Sequence, residues 1–216
     1  MKPILAILFL LCAPPIVAAQ THSAVSEAPS DTTGLPTNQA LYASGIRFGL
    51  FLDQAERRRE MWLDNFDKGR VPVDIRRRAS ELHGPYYLIA VAIDGCSDSV
   101  NTIPYVAHLA NAAEAIEMRI ISPDAGRHIM EAHRTPDGRP STPTILVLDS
   151  DFNEIGAFIE RPKQLQDWAL GSGKELSSSA FMTAKFAWYD EDLGRNTMSE
   201  VLDIIEKHQA EGGHQH

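Results

Sequence analysis

The sequence predicts an α/β fold: a central mixed sheet flanked by helices, with further helices added at the N- and C-terminal ends. Three observations carry this. Tyr87-Leu88-Ile89-Ala90-Val91-Ala92-Ile93 is an apolar, partly β-branched run that stops at a turn signal, the pattern of a buried strand. Val100, Ile103, Val106, Ala107 and Ala110 then recur at helical spacing, so strand, turn and helix follow in quick succession. A second apolar run, Thr144 to Leu148, is answered across the turn Asp149 to Asn153 by Ile155 to Ile159, which reads as its antiparallel partner.

The first turn, Asp94-Gly95-Cys96-Ser97-Asp98-Ser99, places Cys96 where a strand hands over to a helix. Backbone N–H groups at a helix start are unpaired and partly positive, which favours an anion. A thiol there leans towards thiolate, the form that attacks disulfides. Asp94 and Asp98 oppose this, because a like charge disfavours ionisation. The balance points to a moderately reactive thiol. Its expected partners are protein thiols and disulfides or a small thiol, met through a mixed disulfide. Ser99, one helical turn on, can hydrogen-bond the sulfur but cannot displace a bound partner, because that step needs a second thiolate. Asp98 is a candidate general base, or simply an acid capping the helix start. Asn101 reads as a surface residue.

The layout resembles thioredoxin. In that family a strand ends in C-x-x-C at a helix start, and a proline kinks the helix eight residues past the first cysteine. Cys96 and Pro104 keep that spacing. The resemblance also implies a cis proline before the next strand, packed against the cysteine, which Thr142-Pro143 matches. A cis bond there would turn the Thr142 backbone to Cys96 and let it pair with an extended peptide as an added strand. On this comparison Gly95, Ser97, Thr142 and Pro143 hold the partner and Pro104 is structural. The likeness covers roughly residues 85–171. Three family positions differ: the second cysteine is Ser99, the preceding tryptophan is Gly95, and the buried acid is Ala90. The chain is most similar to a bacterial branch of thioredoxin-like proteins with a single-cysteine W-C-x-D motif. That branch shares the run Asn101-Thr102-Ile103-Pro104, an R-P pair (Arg161-Pro162) and a C-terminal stretch from Trp188 to Arg195.

The elements follow in order. Residues 1–19 read as a cleaved signal peptide: Lys2, a short apolar run from Ile4 to Cys12, and the small-residue site Val17-Ala18-Ala19. That run is short for a membrane span, and Leu11 before Cys12 is not the small residue a lipid anchor wants. The mature protein is then periplasmic or secreted, off the membrane, with Cys96 as its one cysteine in an oxidising compartment. Residues 20–38 read as a flexible linker. Ala40 to Phe66 reads as one long amphipathic helix, with Glu56-Arg57-Arg58-Arg59-Glu60 as a solvated stretch. Pro72 opens a helix to Leu82 whose Arg76-Arg77-Arg78 also faces solvent, and Gly84-Pro85 breaks it.

Ile116 to Ile121 is a strand and Pro123 to His133 a short helix. Pro162 opens a helix to Leu170, ended by Gly171-Ser172-Gly173. Helices from Glu175 to Asp190 and from Thr197 to Gln209 follow; Thr197 and Glu200 have capping-box spacing. Trp188-Tyr189 reads as packing between these helices, and residues 211–216 as a disordered tail. The thioredoxin-like domain with its extensions is placed at 39–210.

The 216 residues, 44% hydrophobic and 23% charged, are those of an ordinary globule. A net charge of −9 argues against a nucleic-acid partner. No cofactor and no metal site is expected; His108, His128 and His133 stand alone on their elements, and His208, His214 and His216 lack ligand spacing. Two functions remain open. One is single-thiol exchange at Cys96. The other is a non-catalytic module whose groove grips extended polypeptide segments.

Overall fold

The computed structural model describes residues 34–212. The expected signal peptide with Cys12, most of the linker, and His214 and His216 lie outside the described residues.

Four strands form one mixed sheet in the order β2-β1-β3-β4. They are β1 (Tyr86–Val91), β2 (Ile116–Ile121), β3 (Thr144–Leu148) and β4 (Glu154–Ile159). β1 pairs parallel with β2 and antiparallel with β3, and β3 pairs antiparallel with β4. The parallel pair needs a crossover, and α5 (Ile103–Ala112) supplies it. Both faces of β1 and β3 are covered, which is why their sequences are unbroken apolar runs. Leu88, Ala90, Ile145 and Val147 face one core cluster, shared with α5 and the C-terminal helix. Ile89, Val91, Leu146 and Leu148 face a second, smaller one.

The N-terminal segment is not one helix. It is three: α1 (Asn38–Ser44), α2 (Phe48–Gln54) and α3 (Arg59–Lys68). The first break comes from pairing with the sheet. Ile46 exchanges backbone hydrogen bonds with Ile120 at 2.9 and 2.8 Å, as an antiparallel bridge on the free side of β2. Gly45 permits this approach, since a Cβ there would lie 2.7 Å from the Arg119 Cβ. The second break is at the charged stretch 55–58, where Arg58 is left-handed with φ of 53°. The basic run of α4 (Val73–Ser80) is not all solvated either. Arg78 is four-fifths buried and is paired with Asp203 and Glu206 of the last helix.

After β2 comes the short helix α6 (Arg127–Ala132). After β4 come α7 (Lys163–Leu170), α8 (Ser178–Asp192) and α9 (Arg195–Gly212). Met198, Val201, Leu202 and Ile205 of α9 are fully buried in the main core, so this helix belongs to the domain. Gly194 makes the α8–α9 corner possible: φ is +74°, and a Cβ would meet the Tyr105 ring at 2.1 Å. The Thr197–Glu200 capping box does not form. Thr197 is buried inside α9, and Glu200 instead accepts the Lys163 N–H at 2.7 Å, capping α7 from a distant helix.

Glu200 gives a test of this packing. Burial pushes its carboxyl up to about 7 from an ordinary 4.5, against the Lys163 N–H. A carboxyl raised on folding contributes stability that is full below pH 4.5 and is lost as pH rises towards about 7. Glu200→Gln keeps an acceptor for Lys163 and removes the titration. Its thermal stability relative to wild type is therefore expected to climb over that window, measured by melting curves at a series of pH values.

Candidate functional site

The site is built on the turn between β1 and α5. Cys96 is partly buried, and its S–H donates to the Thr142 carbonyl at 3.1 Å. The Ser99 N–H donates to the sulfur at 3.4 Å. Thr142–Pro143 is a cis peptide bond, and the Pro143 carbonyl accepts the Glu160 N–H at 2.7 Å. Among the described residues Cys96 is the only cysteine. Ser99 is fully buried, and its Oγ has no hydrogen-bond partner.

Cys96 does not stand at the start of an α-helix, where its spacing predicts it. The cysteine does not open α5. It precedes a three-residue 3-10 turn, Ser99–Asn101, and α5 begins at Ile103 with Pro104 in its first turn. Pro104 therefore starts the helix and does not kink its middle, as its missing N–H suits. What reaches the sulfur is the single N–H of Ser99, not a helix end.

Asp98 precedes the 3-10 turn, but its side chain makes no cap hydrogen bond. Its carboxylate is buried and turned away from the 3-10 turn, towards α8 and the end of β4. Lys185 Nζ donates to it at 3.0 Å and Tyr189 Oη at 2.9 Å, with Arg161 Nη2 at 3.6 Å. Lys185 also donates to Ser97 Oγ at 2.8 Å. Arg161 pairs with the buried Glu160 at 2.7 Å, and Arg139 with Glu160 at 3.4 Å. Burial, then the charge and hydrogen bond of Asp98, push the Tyr189 phenol well above the ordinary tyrosine range. Lys185 and Tyr189 are four apart, so one face of α8 supplies both.

A second clamp grips the turn from the N-terminal side. The Asp94 carboxylate accepts the Glu56 and Arg57 N–H groups at 3.0 and 2.8 Å. Burial pushes this carboxyl up, but the Arg57, Glu56 and Gly95 N–H groups and the Arg57 charge together hold it below the ordinary carboxylate range. Trp62 is fully buried, and its indole donates to the Asp94 carbonyl at 2.9 Å. Arg58 donates to the Gly95 carbonyl at 2.9 Å. Arg57 covers Gly95, where a Cβ would lie 2.9 Å from its Cδ. Asn65 of α3 donates to the Val100 carbonyl and to Asn101, and Asn101 donates to the Ser97 carbonyl at 2.7 Å. Asn101 is therefore a buried brace and not a surface residue.

Cys96, Ser97, Asp98, Ser99, Gly95, Thr142 and Pro143 thus come together at one end of the sheet. Arg161, Lys185, Tyr189 and Trp62 join them, although the sequence alone does not single them out as site residues. A lysine among the apolar residues of α8, with a tyrosine one turn later, was the available signal. His108, by contrast, is a satisfied histidine: it stacks on Phe66 and its Nε2 lies 2.7 Å from the Phe66 carbonyl.

A thioredoxin family model matches residues 45–180, well over half of the chain, so this chain belongs to the thioredoxin family. Among solved structures it is similar to a protein of unknown function from Pseudomonas aeruginosa. That match has TM-score 0.66 and 21% identity, covering 81% of this chain and 99% of that one. It is also similar to an HIV epitope scaffold, with TM-score 0.64 and 21% identity over 79% of this chain and 98% of that one. Likeness at this identity shows the fold. No curated protein matches the sequence significantly. Fold and family together support a general redox or other thioredoxin-fold role.

The Asp94 clamp is open to test. Asp94→Ala leaves the Glu56 and Arg57 amides without their acceptor and removes one of the holds on that side of the turn. A loss of about 1–2 kcal/mol in urea unfolding is expected. Faster hydrogen exchange at those two amides should accompany it.

Proposed function

We propose that this thioredoxin-family protein is an exported thiol-disulfide exchange protein that works through Cys96 alone, in the manner of the single-cysteine W-C-x-D branch. The observation that carries the reading is the placement of the sulfur. It is partly exposed and hydrogen-bonded to the Thr142 carbonyl, with no second thiol among the described residues. The apolar run and cleavage pattern of residues 1–19 support export to an oxidising compartment, the periplasm or the exterior.

The chemistry follows from the groups present. The Cys96 thiolate attacks one sulfur of a disulfide. That S–S bond breaks, a new Cys96–sulfur bond forms, and the departing thiolate takes up a proton from water. Cys96 ends oxidised as a mixed disulfide, and half of the partner ends reduced. Ser99 stands where a resolving thiol would be and has no redox chemistry, so the adduct waits for an outside thiol. Thr142, Pro143, Gly95 and Ser97 border the sulfur and hold the partner. Asp98 acts from beneath, within the buried cluster, and not as a general base open to substrate.

The test is stoichiometric. Incubation of the wild-type chain with oxidised glutathione should add one glutathione per molecule, removed again by excess reduced thiol. Cys96→Ser should add none. Thr142→Arg, which fills the partner's place, should slow the reaction about tenfold or more. Failure of the wild type to form any adduct while folded rejects the exchange reading and favours the non-catalytic binding module.

A further inference from the structure

Four side chains around the Asp98 carboxylate are nine-tenths or more buried: Asp98 itself, Arg161, Lys185 and Tyr189. They come from three separate parts of the chain, the Cys96 turn, the end of β4 and α8. Stability alone is a poor reason for such a cluster, because well-packed apolar residues in place of a buried ion pair are often as stable or more so. Its location is more telling. It is bonded to Ser97 and Asp98, the two residues after Cys96, through Lys185. Through Glu160, whose N–H donates to Pro143, it also reaches the residue pair on the other side of the sulfur.

We propose that Asp98 and Lys185 are positioning residues for Cys96: α8 supplies the cation that offsets the buried carboxylate, and this balance decides how readily the thiol ionises. The inference rests on the reading of Cys96 as the exchanging thiol, and it extends the site to a helix outside the strand-turn-helix unit. A carboxylate two residues from a sulfur disfavours the thiolate, and a cation beside that carboxylate cancels the effect. Lys185 Nζ donates to Ser97 Oγ as well as to Asp98, so the pair stands directly against the turn that holds the sulfur.

The other charged groups around the sulfur are accounted for. Asp94, Arg57 and Arg58 lie on the N-terminal side of the turn, where the Asp94 carboxylate is engaged by the Glu56 and Arg57 N–H groups. Glu160 is matched by Arg161 and Arg139. Among the described residues Lys185 is the one cation that touches both Asp98 and Ser97.

The experiment is alkylation of Cys96 by iodoacetamide against pH in the full chain. Asp98→Asn leaves Lys185 without its carboxylate, while Arg161 keeps Glu160, and should lower the alkylation midpoint by about one pH unit, a roughly tenfold gain in rate below it. Lys185→Met should raise the midpoint by a similar amount. The double variant should return towards wild type, and Lys185→Arg, which keeps the charge, should match it. A purely structural cluster would lower melting temperatures and leave all the midpoints alike; that result in folded variants overturns the proposal. If Lys185→Met does not fold, Asp98→Asn decides the matter alone. Because alkylation needs no disulfide partner, loss of the exchange reading would show as absent glutathione adducts with the midpoints still shifted.

Discussion

A carboxylate taken out of water beside the Cys96 turn is the constraint to which much of this structure answers. Burying an ion costs several kcal/mol unless it is paired and hydrogen-bonded. Asp98 is paired with Lys185, bonded to Tyr189 and faced by Arg161. Two of those partners lie on one face of α8, so the helix must cross the turn at that place. The α8–α9 corner is fixed in turn by Gly194 against Tyr105, and Arg195 pairs with Asp74 of α4 at 2.6 Å. The C-terminal helices are thus a wall of the site, and the core cluster around Met198 and Leu202 anchors that wall to the sheet.

The N-terminal helices play the matching part on the opposite side. Asp94, Gly95 and Val100 are each held by a donor from α3 or the connection before it. A turn gripped from both sides holds its sulfur in one place. Such preorganisation is what the proposed exchange would draw on, because a displaced nucleophile loses rate steeply. The same grip explains how the chain can place Gly95 before Cys96: Arg57 lies over that position.

The sheet was legible in the sequence because β1 and β3 are buried on both faces and therefore read as unbroken apolar runs. The thioredoxin-like register of Cys96, Pro104 and Thr142-Pro143 was legible because it is a matter of spacing. What could not be read were effects of contacts between distant residues. Ala40 to Phe66 has helical periodicity throughout, yet Ile46 leaves the helix to bridge Ile120. Arg78 sits in a basic run that looks solvated until Asp203 and Glu206 arrive from α9. Asp98 has the local look of a helix cap, and only the fold brings Lys185 and Tyr189 to it, from 87 and 91 residues away. Glu200 has capping-box spacing from Thr197 but spends its carboxylate on another helix.

Exchange through Cys96 requires that the held sulfur react in the compartment where the protein works. Intact-mass measurement of the protein, isolated from its producing cells without any reductant, asks this directly. A reactive thiol without a resolving partner should carry a covalent adduct at Cys96 that reductant removes. A wild-type chain recovered wholly as the free thiol, and still unmodified after exposure to disulfides, would contradict it.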